Sequence, residues 1–294
     1  MFADAVELIS GYTFPVIISQ KYYDGSVGCG CASFIVLNDE GWILTSAHIL
    51  QVFLAAQNHR AEIAAYEVKK GLIEKNNRLT AKQKRRQLKE LNHNGKWIVR
   101  ESYWWSSDTF KIDSYTYNNF YDLAVGKIEN YDGKMAKNYP VFMNPKGKLP
   151  TGTSLCRMGF PFHNISASFD EAKNMFVLAP GTLPVPRFPI EGIHTRVRVV
   201  IDRNSGKQAR FIETSSPGLK GQSGGPIFDV KGRVWGLQSR TEHLDLGFRA
   251  KIKRKEQEIE ENQFLNVGLG THVEDILDFL KERKIDVQVS SDLI

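Results

Sequence analysis

The first apolar residues of the chain follow a helical spacing. They lie three or four positions apart, at Phe2, Ala5, Val6 and Ile9. This spacing places them on one face and predicts a short amphipathic helix, which Gly11 is expected to end.

A different pattern begins directly after this helix. Residues 13–20, 32–37 and 42–45 are short runs rich in β-branched and aromatic side chains, which indicates strands. The letters NDEG between the second and third runs predict a hairpin turn. His48 follows the third run directly, so we expect it at the end of a strand.

The pattern changes again between about residues 52 and 95. Aromatic residues become rare and Ala, Glu, Lys and Gln dominate, which predicts a helical insertion of two helices separated at Gly71. The net charge of the chain is +6, and it is concentrated here. From Lys69 to Lys96 there are ten Lys or Arg and two Glu, so the rest of the chain is slightly negative.

The second predicted helix has a clear beginning and end. Thr80 and Gln83 have the spacing of a capping box, and Asn94 with Gly95 predicts the stop. The segment between them holds only two large apolar residues, both leucines. We therefore expect this helix to be largely solvated.

After residue 95 the chain returns to short β-rich runs. Residues 144–152 are rich in Gly, Pro and Lys and predict a linker, and a final helix is expected to begin near Thr271. Alternating strands and helices are absent, which argues against a parallel sheet and favours two antiparallel barrels. We divide the chain into residues 1–143, with the first barrel and the insertion, and residues 144–294, with the second barrel and the final helix.

Composition and cysteine usage narrow the class of protein. Hydrophobic residues make up 41% and charged residues 24%, as in soluble globular proteins, and no long apolar run predicts a membrane helix. The N-terminus carries Asp4 and Glu7 and lacks the basic segment of a signal peptide. The odd count of three cysteines argues against a disulfide framework. Cys29 and Cys31 would share a strand face, but a metal site needs further ligands, so these two and Cys156 are expected to be small buried or half-buried residues. These features predict a cytoplasmic protein.

One segment suggests nucleophilic chemistry. The letters GLKGQSGGPIFD place Ser223 between glycines ahead of an apolar run. A serine hydroxyl needs an adjacent base and an acid that orients the base. The glycine-rich turn would let the amides of Gly221 and Ser223 converge on a developing oxyanion. In the nucleophile elbow of α/β-hydrolases the acid and histidine follow the serine, but only 71 residues remain here and no parallel pattern precedes, which disfavours that reading.

The other arrangement has the order His, Asp, Ser. His48 lies in TSAHIL, and Asp122 in FYDLAVGKI precedes a run that is expected to be buried. Asp108 and Asp113 compete for the acid role, but no such run follows them. The other histidines lack this context and are expected to be surface or structural residues: His59, His93, His163, His194, His243 and His272.

The segments GWILTSAHIL, YDLAVGKI and GQSGGPIFDVKGRVWGLQ resemble, in this order, the catalytic motifs of trypsin-like serine peptidases. They look most like the bacterial HtrA-type catalytic domain, and NVGLGTHVEDILDFL resembles its closing strand and helix. The resemblance excludes about residues 52–100 and 250–262. It implies a mainly β fold of two antiparallel six-stranded β-barrels of chymotrypsin type, and a triad of His48, Asp122 and Ser223 that needs no metal or other cofactor.

The sequence also departs from that family. Ile49 follows His48 where secreted members place a cysteine, and neither an Ile-Val activation sequence nor a PDZ domain is found. Activation by N-terminal cleavage is therefore not expected, and any regulation must work in another way.

The resemblance further implies the walls of the substrate pocket. They would be formed by Pro217, Gly218 and Leu219 and by Gln238, Ser239 and Arg240. Pro217 stands where an acidic floor would be, so preference for Lys or Arg is not expected. Arg240 could favour an acidic or polar side chain or point to solvent, and an uncharged substrate side chain is expected.

The expected function is peptide-bond hydrolysis through an acyl-enzyme. The protein would be a regulated intracellular protease with a dedicated protein substrate, for example in a bacterial antiviral defence or signalling system, although housekeeping proteolysis stays open. The alternative is a catalytically silent scaffold or nucleic-acid-binding protein. An acidic protein partner or nucleic acid would bind the basic helix, which could equally be only a solvated face, through Lys82, Lys84, Arg85, Arg86 and Lys89.

Overall fold

The computed structural model describes residues 1–254 and 257–293, without the side chains of residues 250–259. Its described helices are α1 (Ala3–Ser10), α2 (Gln51–Lys75), α3 (Ala81–Glu90) and α4 (Val273–Lys281). The predicted N-terminal helix is confirmed, and Gly11 caps its end. None of the described helices combines the length and the apolar character needed to cross a lipid bilayer.

The first sheet contains six antiparallel strands. They are β1 (Thr13–Tyr22), β2 (Val27–Val36), β3 (Trp42–Thr45), β4 (Ile98–Trp104), β5 (Ile112–Asn118) and β6 (Leu123–Ile128). Their order is β4-β1-β2-β3-β6-β5, and the described residues contain no pairing between β4 and β5. The predicted hairpin is confirmed, since Ile35 of β2 lies opposite Leu44 of β3 across the NDEG turn.

The second sheet contains a closed ring of strands. The remaining strands are β7 (Val141–Phe142), β8 (Ser154–Arg157), β9 (Ala167–Asp170), β10 (Met175–Leu178), β11 (Ile190–Ile201), β12 (Gln208–Thr214), β13 (Pro226–Phe228), β14 (Arg233–Arg254), β15 (Gln257–His272) and β16 (Gln288–Val289). The order β13-β8-β11-β12-β15-β14 is closed by pairing of β14 with β13, which gives a six-stranded antiparallel barrel. β7 and β16 extend the sheet in parallel pairings, and β9 with β10 forms a separate hairpin. The predicted mainly β fold of chymotrypsin type, with a C-terminal helix, is confirmed.

Two details of the predicted insertion are wrong. Gly71 does not separate two helices, because it lies inside α2, where a Cβ would meet no neighbouring atom within 4 Å. The break comes after Lys75, where the Asn76 side chain accepts the backbone N–H of Arg78 at 2.9 Å and turns the chain. α3 also ends at Glu90, earlier than predicted, and His93 instead packs in an aromatic cluster against Tyr23 and Tyr66.

The capping box of α3 is confirmed. The Thr80 side chain accepts the Gln83 backbone N–H at 3.3 Å, and the Gln83 side chain accepts the Thr80 backbone N–H at 2.8 Å. None of the residues of α3 is buried, so the helix is solvated as expected.

The charged run after residue 250 was not predicted to be a strand. β14 and β15 pair as one long hairpin, with two register shifts, as far as Arg254 and Gln257. Residues 255 and 256 of that run lie outside the described residues. The sequence of the run lacks the alternation of apolar and polar residues that indicates a strand.

The largest hydrophobic cluster draws residues from both sides of the proposed division at residues 143 and 144. Ile9 of α1, Phe34 of β2 and Phe142 of β7 lie in the same cluster as Phe228 of β13 and Ile276 of α4. Burying such side chains contributes about 1.5–3 kcal/mol each. α1 and α4 therefore pack on one shared core, and the division itself stays a prediction.

Candidate active site

His48 lies on a single 3-10 turn, Ala47–Leu50, directly after β3. The apolar neighbours Ala47, Ile49 and Leu50 are buried and hold this turn, while the His48 side chain keeps 38% of its surface exposed. The preceding Ser46 donates its hydroxyl to the Gln238 carbonyl of β14 at 3.0 Å. The turn is thereby fixed against the second barrel.

Asp122 lies at the end of a tight turn between β5 and β6. The Asn118 side chain accepts the backbone N–H groups of Phe120 and Tyr121 at 2.9 and 3.3 Å, which shapes this turn. Asp122 itself adopts a left-handed backbone with a φ of 53°. Aspartate tolerates this conformation better than most residues, and the apolar residues of β6 that follow are buried.

His48 and Asp122 are in direct contact. The Nδ1 atom of His48 lies 3.0 Å from Oδ1 and 2.9 Å from Oδ2 of Asp122. The backbone N–H of His48 also donates to Oδ1 at 3.0 Å. A carboxylate can only accept, so Nδ1 carries a hydrogen, and in the neutral imidazole Nε2 then keeps a free lone pair. In this state the imidazole can act as a base through Nε2.

Ser239 makes a contact that the sequence did not reveal. It was expected as a pocket wall, but its hydroxyl is buried and donates to Oδ2 of Asp122 at 2.5 Å. The backbone carbonyl of Ser239 meanwhile accepts the Ser223 hydroxyl at 3.3 Å. Ser239 therefore links the three residues expected from the motifs.

The Ser223 hydroxyl makes its bond to Ser239 and, in the described part of the chain, none to His48. Hydrogen bonds between catalytic groups are commonly formed only when substrate is bound. The turn that carries Ser223 is fixed on the first sheet, because the Ser33 backbone N–H donates to the Ser223 carbonyl at 2.8 Å. The backbone of this turn is therefore tied to β2.

Two backbone amides of the turn at Ser223 have no hydrogen-bond acceptor among the described residues. Among the described residues, neither Gly221 nor Ser223 donates its backbone N–H to an acceptor. Gly221 has a φ of +102°, and a Cβ there would lie 2.5 Å from the Phe160 carbonyl oxygen, so the turn requires glycine. Two unpaired N–H groups beside a serine are suited to binding an oxyanion.

Gln222 holds this turn in a way that the sequence did not indicate. Its side chain is fully buried, and its Oε1 accepts the Leu219 backbone N–H at 2.9 Å. Its Nε2 donates to the Phe188 carbonyl at 3.3 Å. A neutral side chain thus braces the turn through backbone groups of the same chain.

The residues expected to form the pocket lie together. Gly218 lies against the buried side chain of Gln238, where a Cβ would be 2.1 Å from Nε2. Pro217 and Leu219 flank Gly218 and are half-buried. Arg240 is exposed, and its guanidinium lies 4.4 Å from the centre of the Phe211 ring. The roles of these residues stay predictions.

The three cysteines are unpaired, and Cys156 is buried. Within the described residues no group of three or more His, Cys, Asp or Glu side chains could hold a metal ion.

Asp108, one competitor for the acid role, accepts the indole N–H of Trp104 at 2.8 Å. Asp245 accepts the Gly247 backbone N–H at 2.8 Å, in the long hairpin.

One comparison with known proteins identifies a family. A family model described as a trypsin-like peptidase domain matches residues 32–237, which is more than half of the chain. Among solved structures, an HtrA-type protease with a tripeptide aligns over 96% of this chain and 63% of its own, at 14% identity and a TM-score of 0.46. This chain thus spans less than two thirds of that one, and so distant a match adds nothing to the assignments above. None of the curated proteins matches the chain.

Proposed function

Because the chain belongs to the trypsin-like peptidase family, we propose that it is a serine endopeptidase that cleaves peptide bonds with His48, Asp122 and Ser223 as its triad. The observation that carries this proposal is the contact of Asp122 with both the backbone N–H and Nδ1 of His48. That contact fixes the tautomer in which Nε2 can take a proton.

Each residue then has one task in the reaction. His48 Nε2 removes the proton from the Ser223 hydroxyl as its oxygen attacks the scissile carbonyl carbon, and an acyl-enzyme forms when the amine leaves with that proton. Water then attacks the acyl-enzyme through the same steps and releases the carboxylic acid product. Asp122 stabilises the imidazolium, and the amides of Gly221 and Ser223 hold the negative oxygen. The protein supplies every group of this reaction, without a metal or other cofactor.

The proposed enzyme does not depend on a new N-terminus for activity. Gln222 already braces the turn before Ser223 with its buried amide, through the Leu219 N–H and the Phe188 carbonyl. Because the Gln222 side chain is neutral, it does not need a charged N-terminus, released by cleavage, as its partner. Regulation would therefore act through substrate access or partner binding.

We further propose a cytoplasmic protease with a dedicated protein substrate. The free Cys29 and Cys31, two residues apart on β2, support a reducing compartment. The solvated α3 supports a docking site for an acidic protein partner, since Lys82, Arg85 and Lys89 are exposed on it. A role in a bacterial antiviral defence or signalling system rests on the family resemblance alone.

A silent scaffold that binds nucleic acid is the competing function, and the same exposed cations of α3 favour it. A fluorophosphonate probe separates the two. The proposal expects one covalent adduct per chain, located at Ser223 by peptide mass spectrometry and absent from denatured protein and from Ser223→Ala. Folded protein that takes up no probe, together with tight binding of nucleic acid, would favour the scaffold.

A further inference from the structure

A buried arginine lies beneath the loop that precedes Ser223. Arg157 is the last residue of β8, and only 1% of its surface is exposed. Buried charged side chains are normally paired with an opposite charge, because an isolated charge loses its hydration. Arg157 forms no salt bridge with any described residue.

Only one nitrogen of its guanidinium is used. Nη1 donates to the Ser216 hydroxyl at 3.1 Å and to the Pro217 carbonyl at 2.8 Å. Nε and Nη2 are buried, and in the described part of the chain they have no hydrogen-bond partner. Through these two hydrogen bonds from Nη1, the guanidinium contacts the loop that is expected to form the pocket.

The unused edge of Arg157 has a specific chemistry. Nε and Nη2 lie side by side and form the fork that binds both oxygens of a carboxylate. The same fork is occupied elsewhere in this protein, where Nε and Nη2 of Arg196 each donate to Glu213 at 3.0 Å. The edge that Arg157 leaves free is therefore the carboxylate-binding edge.

Its position matches the floor of the pocket. A Cβ on Gly268 of β15 would lie 2.4 Å from Nη2, so the guanidinium packs against bare backbone there. Gly268 pairs with Thr241 of β14, and the Thr241 hydroxyl donates to the Gly218 carbonyl. Arg157 is thus enclosed by the loop from Ser216 to Gly218 and by β14 and β15, the two strands of the hairpin that contains Ser239.

We propose that Arg157 determines specificity, and that the enzyme cleaves after acidic residues, Glu or Asp, whose carboxylate binds Nε and Nη2. This inference rests on the proposed function, because it takes Ser223 as the nucleophile above the pocket. It replaces the expectation of an uncharged substrate side chain. Arg157 lies far from Pro217 and Ser223 in sequence, and the motifs gave no sign of it.

The charge decides between a carboxylate and an amide. Burial lowers the pKa of Arg157 to about 10, so the group is still cationic at neutral pH. A glutamine side chain could accept from the same fork and donate to Gln238 Oε1, which is also buried and unpartnered. It would leave the positive charge uncompensated, whereas a carboxylate neutralises it.

Entry of the substrate side chain requires one movement. Nε and Nη2 are enclosed in the structure, and the Gln238 side chain lies against Gly218. Gln238 is held through its bond from Nε2 to the Arg240 carbonyl at 3.0 Å. An approaching carboxylate would displace this unbranched side chain and form two charge-assisted bonds instead.

The unaltered enzyme tests the proposal directly. Matched peptides that differ only in the residue before the scissile bond, Glu, Asp, Gln, Leu or Lys, are compared by kcat/KM. We expect Glu or Asp to exceed both Gln and Leu by at least tenfold, as a charge-assisted pair predicts. Equal rates for Glu and Gln, or preference for Leu or Lys, would contradict the proposal. If the unaltered enzyme cleaves none of these peptides in a way that depends on Ser223, the proposed function is contradicted instead.

Variants then assign the preference to one side chain. Arg157→Met should lower the ratio of Glu to Leu cleavage by about 100-fold while Leu peptides are still cleaved, and Arg157→Lys should restore part of the preference. The matched control is Arg283→Met, since Arg283 also has a buried, unpartnered Nε but lies at the end of α4. If Arg240→Met removes the preference and Arg157→Met does not, Arg240 is the determinant and the proposal is wrong.

Discussion

Replacing Asp122 by Asn changes one atom of the site, and the consequence can be worked out from the contacts. Oδ1 of Asp122 accepts the His48 backbone N–H at 3.0 Å, and Oδ2 lies 2.9 Å from His48 Nδ1 and 2.5 Å from the Ser239 hydroxyl. An amide keeps the oxygen for the backbone N–H and places its NH2 group at the second position. That group donates to Nδ1, so the hydrogen of the imidazole moves to Nε2.

A histidine in this state cannot accept the proton of Ser223. We expect kcat to fall by about 10⁴, which corresponds to about 5.5 kcal/mol of lost transition-state stabilisation. Folding should be affected far less, because the Ser239 hydroxyl can reverse and accept from the amide. One exchanged hydrogen bond changes the free energy of unfolding by about 1 kcal/mol.

The assay is steady-state hydrolysis of a peptide, together with the rate of fluorophosphonate labelling and a thermal unfolding curve. Asp108→Asn and Asp113→Asn are the matched controls and should keep nearly full activity, since Asp108 binds the Trp104 indole instead. If either control loses activity and Asp122→Asn keeps it, the assignment of Asp122 is refuted. An unfolded Asp122→Asn protein would refute the claim that the amide preserves the turn.

Two further predictions concern the basic helix and the pH dependence of stability. If α3 captures an acidic partner, changing its cations to Gln should slow cleavage of the natural protein substrate and reduce its salt dependence, but spare a short peptide; unchanged rates on both would make the helix a solvated face only. The residues to change together are Lys82, Lys84, Arg85, Arg86 and Lys89. Burial, with smaller effects of Arg210 and His194, lowers the pKa of His272 to about 4. Between pH 6.5 and 4 the unfolded chain therefore binds a proton at His272 that the folded protein does not. The contribution of His272 to the free energy of unfolding is complete above pH 6.5 and falls by about 3 kcal/mol towards pH 4. His272→Asn, which can still cap α4, should flatten that part of the unfolding profile, and an unchanged slope would contradict the assignment.

Features encoded by neighbouring residues could be predicted from the sequence. The capping box needs only Thr80 and Gln83, which are three residues apart, and the hairpin needs only the turn between β2 and β3. The prediction at Gly71 was wrong because one glycine costs a helix only about 1 kcal/mol, which the rest of α2 outweighs.

Features that arise from packing between distant segments could not be predicted. The order of the motifs was enough to predict His48, Asp122 and Ser223 as the triad. The hydrogen bond from Ser239 to Asp122, in contrast, joins residues 117 positions apart. Arg157 lies 59 positions before Ser216, its first partner in the loop. Nothing in a linear pattern distinguishes such a buried arginine from an exposed one, since burial is decided by the closed barrel.

The central claim is that Ser223 is the nucleophile, and the most direct test is peptide hydrolysis by Ser223→Ala compared with the unaltered protein. We expect kcat to fall by about 10⁶, because only the oxyanion-binding amides and substrate binding remain. Both proteins should have the same thermal unfolding curve, since among the described residues the Ser223 hydroxyl bonds only to the Ser239 carbonyl. Hydrolysis by folded Ser223→Ala at a rate comparable to the unaltered protein, on the same peptide, would contradict the account.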